Sequence, residues 1–163
     1  MIERMKKLLF LVFSVVLCLF AAQSVSAQKI GGFLAYGSQI ESLGIGVNGE
    51  FDLSQKLTLS PSFVFFFPKN NFTWVDLNGN VNYYFLKEGV DFYGLVGLNL
   101  AILSYNGNDQ FIQNNTNSEL GINLGIGTNF DVGQNFKPFV EMKYVLSDAD
   151  QFAVFFGLKF NVK

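Results

Sequence analysis

Apolar and polar side chains alternate through most of the chain after residue 27. Leu120, Ile122, Leu124 and Ile126 fall on one side of their segment, and Glu119, Gly121, Asn123, Gly125 and Gly127 fall on the other. Leu43, Ile45, Val47 and Phe51 alternate with Gly44, Gly46, Asn48, Glu50 and Asp52. Val75, Leu77, Val81, Tyr83 and Phe85 alternate with Asp76, Asn78, Asn80 and Asn82, and Phe152, Val154, Phe156, Leu158, Phe160 and Val162 with Ala153, Gly157, Lys159 and Asn161. A period of two marks a strand with two unlike faces. Turn-forming residues divide the chain into strands at 28–37, 42–52, 57–67, 72–85, 91–103, 118–130, 136–146 and 151–162. The 136 residues after residue 27 give eight units of about 17 each, enough for a membrane strand of about 9–11 residues and its turn. Pro61 and Pro138 fall inside strands, where a missing backbone donor is tolerated near an end or a bulge.

The two faces differ in composition. One is aliphatic and aromatic, and the other is mostly Gly, Asn and Ser with few charges. The water-facing side of a soluble sandwich is usually rich in Lys, Glu and Arg, whereas small residues suit a crowded barrel interior. Only 15% of the 163 residues are charged and 50% are apolar. Phe63, Phe65, Phe66, Phe67 and Trp74 gather near one set of strand ends, and Tyr83, Tyr84, Phe85, Phe92 and Tyr93 near the other. They read as the two interfacial girdles of a membrane barrel. The pattern predicts an all-β fold: an eight-stranded antiparallel up-and-down transmembrane β-barrel over residues 28–163.

Residues 1–27 read as a signal peptide. Arg4, Lys6 and Lys7 precede an apolar run from Leu8 to Ala22, and Gln23-Ser-Val-Ser-Ala27 ends in small residues. The run falls short of the roughly 20 residues of a spanning helix. Cleavage is expected after Ala27, with Val25 and Ala27 as the recognised side chains. Cys18 follows Leu17, where a lipoprotein acceptor would need a small residue, so it reads as part of the apolar run. The expected mature chain has 8 Lys and 12 acidic residues, a net charge of −4, and no Cys or Arg.

The last strand, Gly157-Leu-Lys-Phe-Asn-Val162, resembles the C-terminal signal by which outer-membrane barrels are recognised for insertion, with Gly157, Phe160 and Val162 in the expected places. With this strand and the eight-fold alternation, the mature chain resembles the small eight-stranded outer-membrane barrels of the OmpA/OmpX type, the outer membrane protein beta-barrel domain family. Lys163 departs from the usual aromatic ending. The resemblance implies an integral protein of a Gram-negative outer membrane, with lipid and the barrel-insertion machinery as partners, the latter through the C-terminal strand. Both chain ends would then lie in the periplasm. Connections near 38–41, 68–71, 104–117 and 147–150 would face outward, and those near 53–56, 86–90 and 131–135 inward.

An eight-stranded barrel has an interior just wide enough for side chains to fill it, and buried charges there need partners. Two ion-paired clusters are expected, Glu119 and Glu141 with Lys143 toward the outer end, and Glu50 and Asp52 with Lys159 toward the periplasmic end. They could serve a gate or proton path, or simply plug the barrel. The longest connection, Ser104 to Asn117, carries Phe111 and Ile112 in a polar setting. These two are weak ligand-binding candidates, with no ligand identified, or else apolar residues folded onto the rim. Asn106-Gly-Asn-Asp109 is too short for a calcium loop and lacks its terminal Glu. Gly121-x-x-x-Gly125-x-Gly127 lies on an alternating strand with no following helix, so it is no phosphate cradle.

The chain has no His and one Cys, which removes the commonest general base and excludes a multi-Cys zinc site. Outer-membrane lipases, acyltransferases, deacylases and proteases rely on a His, so no catalytic residues are expected. A Glu119/Glu141 carboxylate pair is the one formal exception. No cofactor or metal is called for, and the charge balance offers no footprint for nucleic acid. Three readings follow: a structural or surface-interaction barrel, a narrow transporter for small or apolar solutes, and a soluble secreted lipid-binding barrel.

Overall fold

The computed structural model describes residues 29–105, 115–148 and 150–162. The expected signal peptide with Ala27, and the loop segment with Phe111 and Ile112, lie outside the described residues. Eight strands form: β1 (Lys29–Gly37), β2 (Ser42–Asp52), β3 (Leu57–Lys69), β4 (Phe72–Glu88), β5 (Val90–Tyr105), β6 (Asn115–Phe130), β7 (Phe136–Leu146) and β8 (Gln151–Asn161). Each pairs antiparallel with the next, and β8 pairs with β1, which closes the barrel.

The central strands run past the ends read from sequence. Gly89 alone, at φ 78°, turns the chain between β4 and β5, so Glu88 pairs with Val90 and residues 86–88 stay in the ladder. At the other end the β5–β6 hairpin continues through Ser104↔Thr116. Its polar residues remain extended beyond the apolar zone. Asn70 and Asn71, at φ 53° and 65°, form a two-residue turn between β3 and β4. Left-handed residues at both positions match the right-handed twist of the flanking strands.

Both prolines sit at lapses in a ladder. The β2–β3 register passes from Asn48↔Ser62 to Phe51↔Leu59 and omits the positions beside Pro61. The β6–β7 ladder ends at Asn129↔Phe139, one residue before Pro138. Pro has no backbone N–H to donate.

Outward side chains are apolar on every strand, among them Leu34, Leu43, Leu98, Leu120 and Phe156. The aromatic girdles are thinner than expected. Phe66, Trp74, Tyr84 and Tyr93 are buried inside, while Phe63, Phe67, Tyr83, Phe85 and Phe92 face out. The phase of each strand decides this. Phe66 follows Val64, and Tyr84 follows Asn82, on the inner face.

The interior is packed by pairing large residues with glycine. Phe33 lies opposite Gly46 on β2 and Gly157 on β8. A Cβ on either glycine would run into Phe33, and one on Gly127 would run into the Tyr93 ring. Phe33 also stacks with Phe155 and meets Phe139 edge-on, at centroid distances of 5.0 and 5.9 Å. Inserting bulk into such a core costs about 1–3 kcal/mol. Gly46→Leu should therefore lower the temperature at which the folded gel band is lost, and Phe33→Ala/Gly46→Leu should recover part of that loss, the rest being set by the Phe63 carbonyl oxygen 2.7 Å from the added Cβ. Additive losses would show that the two residues do not share one space.

Candidate functional site in the barrel lumen

The polar side chains expected in the lumen are there, because Asn, Asp, Glu and Lys occupy the inner phase of each strand. They form two networks at different heights. The lower one lies toward the end where β1 begins and β8 finishes. There Glu50 Oε1 accepts from Lys159 Nζ at 2.5 Å and Glu50 Oε2 from Lys29 Nζ at 2.9 Å. Tyr84 donates to Glu50 Oε1 at 3.1 Å, and Asn129 Nδ2 donates to the Tyr84 hydroxyl at 3.0 Å. Lys159 Nζ also donates to Asn129 Oδ1 at 3.0 Å, which closes a ring of four side chains from β2, β4, β6 and β8. Lys159 Nζ lies 4.5 Å from the Phe139 centroid and 5.0 Å from that of Tyr93. Tyr93 donates to Glu141 Oε2 at 2.8 Å.

The second network is built on asparagines. Asn78 Oδ1 accepts from Lys143 Nζ at 2.5 Å, Asn99 Nδ2 at 2.9 Å and Asn123 Nδ2 at 3.0 Å. Asn123 Nδ2 also reaches Asn80 Oδ1 at 2.7 Å, and Asn78 Nδ2 donates to Ser62 Oγ at 3.2 Å. Asp76 Oδ1 accepts from Trp74 Nε1 at 2.7 Å. A largely apolar layer accompanies this network, including Phe33, Val64, Phe66, Phe139 and Phe155.

The outer cluster of Glu119, Glu141 and Lys143 does not form. Glu141 lies opposite Gly127 on β6, eight residues along the strand from Glu119. At roughly 3.4 Å per residue that is about 27 Å. Adjacent strands of a closed barrel are staggered by its shear, and the β6–β7 stagger carries Glu119 to the far rim. Glu141 is instead held by Tyr93. Asp52 makes no ion pair among the described residues, and Glu50 alone meets Lys159. The network residues missed from sequence include Asp76, Tyr84, Tyr93, Asn129 and Lys29, together with Asn78, Asn99 and Asn123 of the second network. Strand phase marks the first four as inward-facing, but their partners lie across the lumen, beyond what spacing can show.

Ion pairs also join strand ends to the adjoining turns. The Lys69 ammonium, hydrogen-bonded to Glu41 at 2.8 Å, holds that carboxyl below the usual carboxylate range. Asp131 is held low first by the Gly133 backbone N–H and then by Lys137. No group of acidic, His or Cys side chains among the described residues could hold a metal ion.

The barrel matches solved structures. The N-terminal β-barrel domain of Pseudomonas aeruginosa OprF superposes with a TM-score of 0.65 at 14% identity, over 83% of this chain and 98% of that one. Neisserial surface protein A gives 0.66 at 14% identity, over 86% and 100%. Ail, the attachment invasion locus protein of Yersinia pestis, gives 0.57 at 16% identity, over 82% and 95%. The fold is that of the small eight-stranded outer-membrane barrels. No protein-family model and no curated protein matches the sequence. Likeness to the small outer-membrane barrels therefore rests on architecture, and architecture alone does not carry function.

Removing one partner of a buried ion pair costs about 3–5 kcal/mol. Lys159→Met should lower the urea midpoint of the folded barrel accordingly, with the lower end of that range expected because Lys29 still serves Glu50. The double variant Lys159→Met/Glu50→Gln should lose less than the single, and an equal or larger loss would count against the pair. The Glu41 contribution to stability should be complete above the usual carboxylate range and vanish as pH falls through its lowered value. Lys69→Met should raise the Glu41 titration midpoint in an NMR titration; an unmoved midpoint would remove Lys69 as the cause.

Proposed function

We propose that this chain is an integral outer-membrane protein of structural or surface-interaction type, exported by a signal peptide cleaved after Ala27, with a lumen that acts as a plug. The observation that carries this reading is an inverted distribution of polarity. Lys159 and Glu50 are 1% exposed in the interior, whereas Leu34 and Leu98 are 60% exposed outside. A monomeric soluble protein rarely exposes more than a few hundred Å² of contiguous apolar surface, and here apolar side chains ring the whole barrel. Lipid is the solvent that suits such an exterior. A soluble lipid carrier would need an apolar cavity inside, but this interior is filled and crossed by ion pairs. A transporter would need a path, and Phe66, Trp74, Phe155 and Lys143 stand in it.

The other assignments follow from this reading. Gly157 and Phe160 on β8, with Val162 just after it, would address the barrel to the insertion machinery. The loop from Ser104 to Asn117, with Phe111 and Ile112, would offer the outward contact surface. Catalysis is not proposed, because the chain has no His and its carboxylates are engaged in the networks above or dispersed along the rims.

Purified protein should fractionate with outer membranes and show a heat-dependent gel shift in detergent. Nitroxides at Leu43 and Ile122 should be quenched by oxygen, which partitions into lipid, in preference to a water-soluble nickel reagent. Recovery in the soluble periplasm, or nickel quenching at those sites, would defeat the membrane reading. Steady conductance steps across a planar bilayer would replace the plug with a channel.

A further inference from the structure

Lys143 differs from the other buried lysine, Lys159. It is 1% exposed, yet among the described residues it has no salt-bridge partner. Its hydrogen bond goes to a neutral acceptor, Asn78 Oδ1, and Nζ lies 5.0 Å from the Phe155 centroid. An unpaired ammonium in such a place is costly. The acceptor is also unusual. An amide oxygen has two lone pairs, but three donors converge on Asn78 Oδ1, from Lys143, Asn99 and Asn123. Asp76, the next inward position on β4, is buried, and its Oδ2 has no hydrogen-bond partner among the described residues.

We propose that Lys143 and Asn78 join in an intramolecular amide cross-link between β7 and β4. The nucleophile and a polarised carbonyl are held together by the closed barrel, which replaces a collision with a fixed approach, and a carboxylate stands one inward position along β4. Asp76, not paired with Lys143 in the resting structure, swings its unpartnered Oδ2 into hydrogen-bond reach, takes one proton from the Lys143 ammonium and frees the Nζ lone pair. Nζ attacks Asn78 Cγ, and a new C–N bond forms. Negative charge develops on Oδ1, where the side-chain N–H groups of Asn99 and Asn123 already point. Nζ passes its second proton to Nδ2, which Ser62 Oγ holds in place, and the Cγ–Nδ2 bond breaks. Ammonia leaves and carries off the proton held by Asp76, so ammonium departs and the carboxylate is restored. The reaction is an acyl transfer with no change of oxidation state. The product amide is neutral, so the unpaired buried cation disappears.

The test uses the full mature chain refolded from denaturant into detergent, with folding verified by the heat-dependent gel shift. After digestion, tandem mass spectrometry should find the Asn78 and Lys143 peptides joined, lighter than their sum by one NH3, about 17 Da. The joined peptide should be absent from the unfolded starting material and appear with folding. Asn78→Ala and Lys143→Met should each abolish it. Asp76→Asn should slow its formation by about 100-fold or more, the usual scale for a positioned acid–base group. Intact mass alone does not suffice, because Gln28 at a new amino terminus can cyclise with the same loss. Folded wild-type protein that yields only the two separate peptides would overturn the cross-link. Formation at the wild-type rate in Asp76→Asn would overturn the role of that carboxylate.

Discussion

The narrow bore of an eight-stranded barrel constrains everything else in this molecule. Side chains from all round the wall point at one axis, so a large residue can enter only where its neighbours across the ladder are small. Phe33 between Gly46 and Gly157, and Tyr93 against Gly127, are two solutions of that problem. At these positions the inward glycine is one half of a steric pair, and the bulky partner is the other half.

The same narrowness sets the electrostatics. Water cannot fill the lumen as bulk solvent, so an inward charge is stabilised by side chains on other strands. Glu50 serves two lysines and a tyrosine at once, and the ring through Lys159, Asn129 and Tyr84 ties four strands together. Such bonds lie across the barrel, perpendicular to the backbone ladders in the wall. Ladders fix which strands are neighbours, and the ring fixes how the opposite walls face one another. Lys143 is the exception, with an amide where a carboxylate would be expected.

Strand number and order were legible in the sequence because period-two alternation survives wherever the two faces meet different surroundings. It holds through β2, β6 and β8 almost without a break. Strand ends were less legible. Polar residues such as Ser104 and Thr116 look like loop in a sequence, yet they stay extended once a hairpin is established. Aromatic residues in unbroken runs misled for another reason. In Phe65-Phe66-Phe67 composition points outward throughout, but the pleat turns the middle ring inward. The lumen partners were the least legible. Glu50 and Lys159 are 109 residues apart, and their meeting depends on closure of β8 onto β1. Glu119 and Glu141 looked adjacent because their strands are, and the stagger between β6 and β7 undoes that.

Pro61 leaves a lapse in the β2–β3 ladder beside Gly49 and Glu50. At that height the β2–β3 pairing is interrupted, and the Phe51 ring and Pro61 flank the space beside Gly49. Pro61 brings no N–H to that seam. A seam with fewer ties opens more readily than the continuous β1–β2 ladder beside it. This seam runs directly behind Glu50, which Lys29 and Lys159 grip from β1 and β8. Side-chain charges thus act as a clasp where the backbone seam is interrupted.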